Sequence, residues 1–167
     1  GKILHVRRAN SRSASAGSTA GHEIAYVDVE RVIEAAKAIA IPFDHEIISA
    51  IPQEFSVDDN SGIKNPVGMN GLRLAADVHI ITGATANTRS ICRAIERIGL
   101  RVHSLVPEPL ASASAVLDAN ECDLGVVLID IGGRTTSVAM YYGGTIRHTE
   151  ILPFGGANVT SDLAYGL

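Results

Sequence analysis

The chain has no tryptophan, and aromatic residues fill only 4% of its 167 positions. A core built on large rings is therefore excluded, and any packed interior must be aliphatic. Hydrophobic residues reach 46%, enough for such a core. Cysteine is nearly absent. Cys92 and Cys122 lie too far apart to form a metal knuckle, and two thiols make no disulfide framework, so a reduced, cytosolic setting is indicated. Cys92, among Ile91, Ala94 and Ile95, reads as a small core residue. Charged residues are sparse at 19%, and the formal net charge is −4. No basic stripe stands out, which argues against nucleic acid as the main partner. No apolar run approaches transmembrane length, and no signal-peptide pattern is visible. His5, His22, His45, His79, His103 and His148 are scattered without an i, i+4 ligand pair. Gly-x-Ser-x-Gly is missing, so a hydrolase nucleophile elbow has no support.

What is present reads as alternating strands and amphipathic helices. Lys2 to Asn10 reads as a short strand, followed by a low-complexity stretch from Ser11 to Gly21, a flexible hairpin or linker or else a partner-contacting loop. Asp28 to Ala40 has helical spacing, with Val29, Val32, Ile33, Ala36 and Ala40 on one face. Asp28 can stabilise its start, and Pro42 stops it. His45 to Asp58 alternates, with Ile47, Ile51, Phe55 and Val57 on one side, and Pro52 marks an edge or a bulge. Residues 58–62 form a turn. Leu72 to Thr82 alternates again, placing Leu72, Leu74, Ala76, Val78 and Ile80 inward and Arg73, Asp77 and His79 outward. Thr85 caps a second helix carrying Ile91, Ala94, Ile95 and Ile98 and ended by Gly99. Val102 to Val106 reads as a short strand. The first two-thirds is thus an α+β unit, two helices against a small, mainly antiparallel sheet. Nothing in it looks catalytic.

The most informative segment runs from Gly125 to Thr136. An apolar run of strand type, Val126 to Ile129, ends in Asp130. Gly132-Gly133-Arg134-Thr135-Thr136 follows. Ser137 to Tyr142 is a second β-type run, Gly143-Gly144 a turn, and Thr145 to Leu152 a third. The glycines let the backbone approach phosphate oxygens and offer N–H donors. Asp130 can hold a magnesium ion directly or through water. Thr135 and Thr136 can add hydroxyl donors. A plain strand-turn-strand satisfies the same pattern, so the motif alone does not decide.

This hairpin resembles the phosphate-binding hairpin of the actin and DnaK-type chaperone superfamily. Glu108-Pro109-Leu110-Ala111-Ser112-Ala113-Ser114-Ala115, just upstream, resembles the helix that connects the two halves of that fold; Pro109 suits a first helical turn. Ile51 to Asp58, Gly62 to Leu74, Val78 to Thr82, Asp28 to Lys37 and Gly144 to Thr149 resemble the FtsA family of actin-like bacterial cell division proteins. The resemblance covers residues 22 to 167. It implies an α+β inserted subdomain within an actin-like, ribonuclease-H-like ATPase fold. The expected layout is a first-domain strand at 1–10, the insert at 11–103, a return strand and connecting helix at 104–119, and the opening of the second domain at 120–167. The chain is expected to be a fragment of a longer parent.

By the same resemblance, the parent binds ATP and Mg2+, with no cofactor held at useful affinity by this fragment alone, and tethers FtsZ filaments to the inner face of the cytoplasmic membrane at the division site. It recruits later divisome proteins and self-associates through the insert, acting as a scaffold rather than an enzyme. Its FtsZ contacts and its membrane-binding C-terminal helix are expected outside this chain. The cofactor-binding residues implied are Asp130, Gly132, Gly133, Arg134, Thr135 and Thr136, with Asp130 toward the metal. Two positions depart from the family pattern, which has a third glycine in place of Arg134 and an acidic residue in place of Ser137. If position 134 has positive φ, an arginine there is strained by about 1–2 kcal/mol. It crowds the phosphate pocket or, conversely, adds a charge-assisted contact. A sugar kinase would need a carboxylate facing a sugar pocket, and none is evident. A DnaK-type chaperone lacks the Val78 to Thr82 pattern. The pilus-assembly actin homologue is the remaining alternative, against which Pro52 to Leu74 favours FtsA.

Overall fold

The computed structural model describes residues 3–11, 21–38 and 40–166. Its elements in chain order are β1 (Ile3–Ser11), β2 (His22–Glu23), α1 (Tyr26–Lys37), β3 (His45–Val57), β4 (Asn60–Ile63), β5 (Asn70–Gly71), β6 (Leu74–Ala84), α2 (Thr85–Glu96), α3 (Glu108–Val116), α4 (Ala119–Leu124), β7 (Val126–Ile131), β8 (Thr136–Tyr142), β9 (Thr145–Leu152) and α5 (Gly156–Gly166). Residues 12–20 of the low-complexity stretch lie outside the described set.

A four-stranded antiparallel sheet, in the order β1-β6-β3-β4, forms the first unit. The strand expected at residues 1–10 runs in this sheet as β1, antiparallel to β6. The alternating run from residue 72 places Leu74, Ala76, Val78 and Ile80 on one face of β6. They meet Val32 and Ala36 of α1, together with Ile24, Phe55 and Val57. Val29 and Ile33 complete the helix's apolar stripe. Val78 and Ile80 are fully buried, and each such side chain contributes about 1.5–3 kcal/mol of transfer free energy. The first turn of α1 is fixed by Asp28, whose Oδ2 accepts from the Ala25 N–H at 3.0 Å. That bond, ahead of His22 and Arg31, holds the Asp28 carboxyl below its ordinary pKa, although partial burial opposes it. The helix ends at Lys37, and Ala40, expected on its buried face, is exposed beyond it. Asp58 takes positive φ, 53°, at the β3–β4 turn, and its Oδ1 accepts from the Leu72 and Arg73 amides at 2.9 and 2.8 Å.

β3 carries two register shifts, between Ile47 and Ser49 and between Pro52 and Glu54. The second is the irregularity expected of Pro52. An extra residue at each shift breaks strict alternation. Ala50 therefore joins the α1-facing core, while Ile51 pairs with His79 on the opposite face. Ile51 on the core side, as alternation alone implies, is thus corrected.

His79 is corrected as well. It is not outward but 1% exposed. A second antiparallel sheet, β7-β8-β9, packs its last strand against this face. His79 Nε2 lies 3.0 Å from Thr149 Oγ1, and the Gln53 side-chain amide donates to the Ile146 carbonyl. Alternation identifies two faces but cannot tell that both are covered. Leu72, expected inward, is 49% exposed, because β6 begins only at Leu74.

The helix after β6 begins at Thr85, with Ala84 as its N-cap and no side-chain cap, so Thr85 does not play the capping role. Gly99, with φ of 82°, follows its C-terminal turn. Only Thr88 is buried on α2, while Ile91 and Ile98 are 54% and 73% exposed. Cys92 is half-buried rather than a core residue. It lines an open groove of about 470 Å³ with Glu46, Ile48, Arg89 and Leu105. Residues 102–106, expected as a strand, form no regular element and join no sheet among the described residues; both edges of β6 are already taken by β1 and β3.

Candidate functional site

The glycine turn lies between β7 and β8. Strand alternation sets its surroundings. Val126, Leu128 and Asp130 lie on the half-buried face, toward α3, whereas Val127, Ile129 and Ile131 face outward, 51%, 58% and 71% exposed. Asp130 is thus on the half-buried face, one residue before the strand's end.

Helix α3 fastens this face. Its N-terminal Pro109 and its Ala113 are buried, so small residues bring the helix close to the hairpin. Ser112 Oγ donates to Asp130 Oδ2 at 2.7 Å. Ser137, which faces Asp130 across the ladder, donates from its hydroxyl to Glu108 Oε2 at 3.2 Å. Two side-chain bonds therefore tie the first two hairpin strands to the connecting helix, and Asp130 keeps Oδ1 for a cation or its water. Beside α4, burial raises the Tyr141 phenol, with Cys122 adding to the shift.

The turn itself is closed by a Gly132 N–H bond to the Thr135 carbonyl, 2.9 Å. The start of α5 locks it from the other side. Gly156 N–H donates to the Gly132 carbonyl at 2.9 Å, and Ala157 N–H to the Gly133 carbonyl at 2.8 Å. Thr136 Oγ1 donates to the Phe154 carbonyl at 2.8 Å. Carbonyls that would repel an anion are thereby engaged. Among the described residues, the successive amides of Gly133, Arg134 and Thr135 donate to no acceptor. A Cβ on Gly133 would meet nothing within 4 Å, so open space lies beside these amides. Successive free N–H groups beside a carboxylate suit a phosphate with its cation. The residues present therefore fit a Mg-nucleotide phosphate.

The six sequence-derived residues thus occupy one turn in different ways. Gly133, Arg134 and Thr135 present open amides. Gly132 is spent in closing the turn, Thr136 ties it to the α5 approach, and Asp130 is oriented from α3. Arg134 does not carry the strain expected of it: Asp58 is the one non-glycine with positive φ among the described residues, so Arg134 fits its backbone without that penalty. Its side chain is exposed. Sequence reasoning missed Gly155. A Cβ there would lie 2.5 Å from the Gly132 oxygen and 2.7 Å from the Gly133 carbonyl carbon. The Gly155-Gly156 pair ahead of a helix was the available signal. It also missed Ser112 and Glu108 as hairpin anchors, for which small and acidic residue types gave no pattern.

The family model "SHS2 domain inserted in FTSA" matches residues 4–82, and "Cell division protein FtsA" matches residues 127–167. Cell division protein FtsA of Neisseria meningitidis serogroup B is 44% identical over 163 residues, which is 98% of this chain and 39% of that protein. The Escherichia coli K12 protein of the same name is 45% identical over 143 residues, 86% of this chain and 34% of the relative. That of Borreliella burgdorferi is 45% identical over 159 residues, 95% and 38% respectively. The chain thus spans between a third and two-fifths of these relatives' lengths. Among solved structures, a "PilM-PilN type IV pilus biogenesis complex" chain superposes with a TM-score of 0.58 at 18% identity, covering 99% of this chain and 44% of that one. At that identity the likeness speaks for the fold alone, and the expected α+β class stands. An inserted α+β sheet, a connecting helix and a glycine hairpin, in this order and at this identity, place the chain in the FtsA family of cell division proteins.

Proposed function

We propose that this chain serves as part of an FtsA-like scaffold of bacterial cell division. The parent binds Mg-ATP, tethers FtsZ filaments to the inner face of the cytoplasmic membrane at the division site, and recruits later divisome proteins. The observation that carries the nucleotide part is the run of open amides at Gly133, Arg134 and Thr135 beside Asp130, with the turn's carbonyls bonded to α5. Bound nucleotide supplies charge and cohesion between the halves of the parent. The chain's own share is to receive phosphate oxygens on those amides and a cation, directly or through water, on Asp130 Oδ1. The bond from Ser112 orients that carboxylate. In this reading nucleotide sets the conformation of the parent, and its turnover is slow.

The inserted sheet serves protein contacts in this reading, both self-association and recruitment. No helix of the described residues is long and apolar enough to cross a membrane. Membrane attachment and FtsZ binding are assigned to other parts of the parent.

A chimera tests the reading. The matched part of this chain replaces the 143-residue matched segment of the Escherichia coli relative, in cells depleted of the native protein. The expected result is a midcell ring and dividing cells, with loss of Mg-ATP binding on Asp130→Ala in the purified chimera. A stably accumulated chimera that stays diffuse in filamentous cells would contradict the division role. Unchanged Mg-ATP affinity on Asp130→Ala would contradict the site.

A further inference from the structure

The basic residues of this acidic chain are unevenly placed. Arg89, Arg93, Arg97 and Arg101 recur every fourth residue along α2 and just past its end. At 100° per residue, Arg89, Arg93 and Arg97 fall within about 80° of arc and rise about 12 Å along the axis. All four are exposed. The sequence reading found no basic stripe; the helix makes one. Elsewhere, Arg31 pairs with Asp28 and Arg147 with Glu54, but none of the α2 arginines enters an ion pair among the described residues. Glu96 is the helix's one acid.

The helix dipole accounts for part of this. Arg93 and Arg97 lie at the C-terminal end, where cations are favoured. Arg89 lies early in the helix and gains nothing there. Three guanidinium groups in one row, none in an ion pair among the described residues, therefore present a positive face, with Glu46 in the groove beside Arg89 and Glu96 near the helix end as its neighbouring acids.

We infer that the arginine face of α2 is a docking surface for an acidic helical segment of a partner protein, one with carboxylates at every fourth position. The match is geometric as well as electrostatic. A helix with Asp or Glu at i, i+4 and i+8 repeats its charge every ~6 Å, the same rise as the arginine row. Guanidinium groups take carboxylates in bidentate fashion, which a lone ammonium does not. A bilayer surface fits less well. An interfacial helix buries its apolar side in lipid, but the apolar side of α2 leans on the protein through Thr88, with Cys92 and Ile95 half-buried. No aromatic residue stands on α2 to anchor it. Nucleic acid fits less well for the same lack of stacking rings and for the net charge of −4. The inference is independent of nucleotide binding.

The test uses the whole chain and two synthetic alanine-rich helical peptides of equal composition. One carries Glu at every fourth position, and the other carries the same residues scattered around the helix. Fluorescence anisotropy is expected to show the patterned peptide binding severalfold more tightly, with affinity falling as salt rises. Combined Arg89→Gln, Arg93→Gln and Arg97→Gln should weaken it by about tenfold or more. The single Arg93→Gln change should weaken it by about threefold, with an unchanged circular dichroism spectrum as the folding control. Equal binding of the two peptides would overturn the inference, as would unchanged binding by the triple variant. Retention on phosphatidylglycerol vesicles or single-stranded DNA in preference to the patterned peptide would also overturn it, assigning the face to lipid or nucleic acid.

Discussion

Substitution of Gly155 by alanine probes the contact that holds the glycine turn in place. The added Cβ would sit 2.5 Å from the Gly132 oxygen, 2.7 Å from the Gly133 carbonyl carbon and 2.8 Å from the Arg134 nitrogen. All three are backbone atoms, so no flexible side chain can move aside. The turn or the start of α5 must shift, and overpacking of this kind costs about 1–3 kcal/mol. The shift would also stretch the bonds from Gly156 N–H and Ala157 N–H to the Gly132 and Gly133 carbonyls. Each is worth about 1 kcal/mol net. A loss of about 2–4 kcal/mol follows when partial relaxation is allowed for. Urea unfolding followed by circular dichroism measures it. Gly133→Ala is the matched control, since its Cβ meets nothing within 4 Å and its φ is not in the left-handed region. The control should stay within about 1 kcal/mol of the parent or gain slightly. Equal stability of Gly155→Ala and the parent, or equal damage from both substitutions, would refute the close approach.

Ser112→Ala removes the hydroxyl that holds Asp130 Oδ2, and urea unfolding should show a loss of about 1 kcal/mol. Asp28→Asn should destabilise α1 by about 0.5–2 kcal/mol at neutral pH, since it weakens the bond from the Ala25 amide. The Asp28 carboxyl is held below its ordinary pKa when folded. Its stabilisation is therefore present above the unfolded pKa, about 4, and is lost as pH falls through the lower folded value. Thermal melts from neutral to acid pH should fall less steeply for Asp28→Asn than for the parent. Arg134→Gly should leave stability unchanged or lower it by up to about 1 kcal/mol, because no positive φ is relieved and backbone entropy is added. A clear gain in denaturation midpoint would contradict that. Val127, Ile129 and Ile131 form an exposed apolar row on the edge strand β7, and such rows pair with other chains. Sedimentation velocity should show self-association that Ile129→Lys reduces.

The sequence carried the strands and helices well, because aliphatic alternation and helical spacing are local signals. β7, the Gly143-Gly144 turn and the α1 stripe of Val29, Val32, Ile33 and Ala36 were all legible. What failed was information about the second neighbour. His79 sat on the polar side of an alternating strand, and nothing local indicated that Thr149 would cover it. Ile51 moved to the other face because two bulges in β3 each insert a residue, and only Pro52 announced one of them. Cys92, Ile91 and Ile98 looked like core by composition, but α2 leans on the sheet mainly through Thr88. The glycine turn was legible as a candidate phosphate site, while its support was not. Ser112, Glu108 and Gly155 act through contacts across 18 or more positions of chain or through the absence of a side chain. The arginine row was spelled out at four-residue spacing, yet it becomes a face only once residues 85–96 are helical.

The central claim is that the turn from Gly132 to Thr135 receives phosphate on its backbone amides. The most direct measurement is an amide proton–nitrogen NMR titration of the chain with Mg-pyrophosphate and with Mg-ATP. Weak binding suffices, because each amide reports separately. The account predicts that the Gly133, Arg134 and Thr135 resonances move most. Gly132, Gly156 and Ala157, whose N–H groups are already bonded, should move less. Asp130→Ala should reduce the response when magnesium is present. Shifts confined to residues 89–101, or none at the turn at saturating ligand, would contradict it.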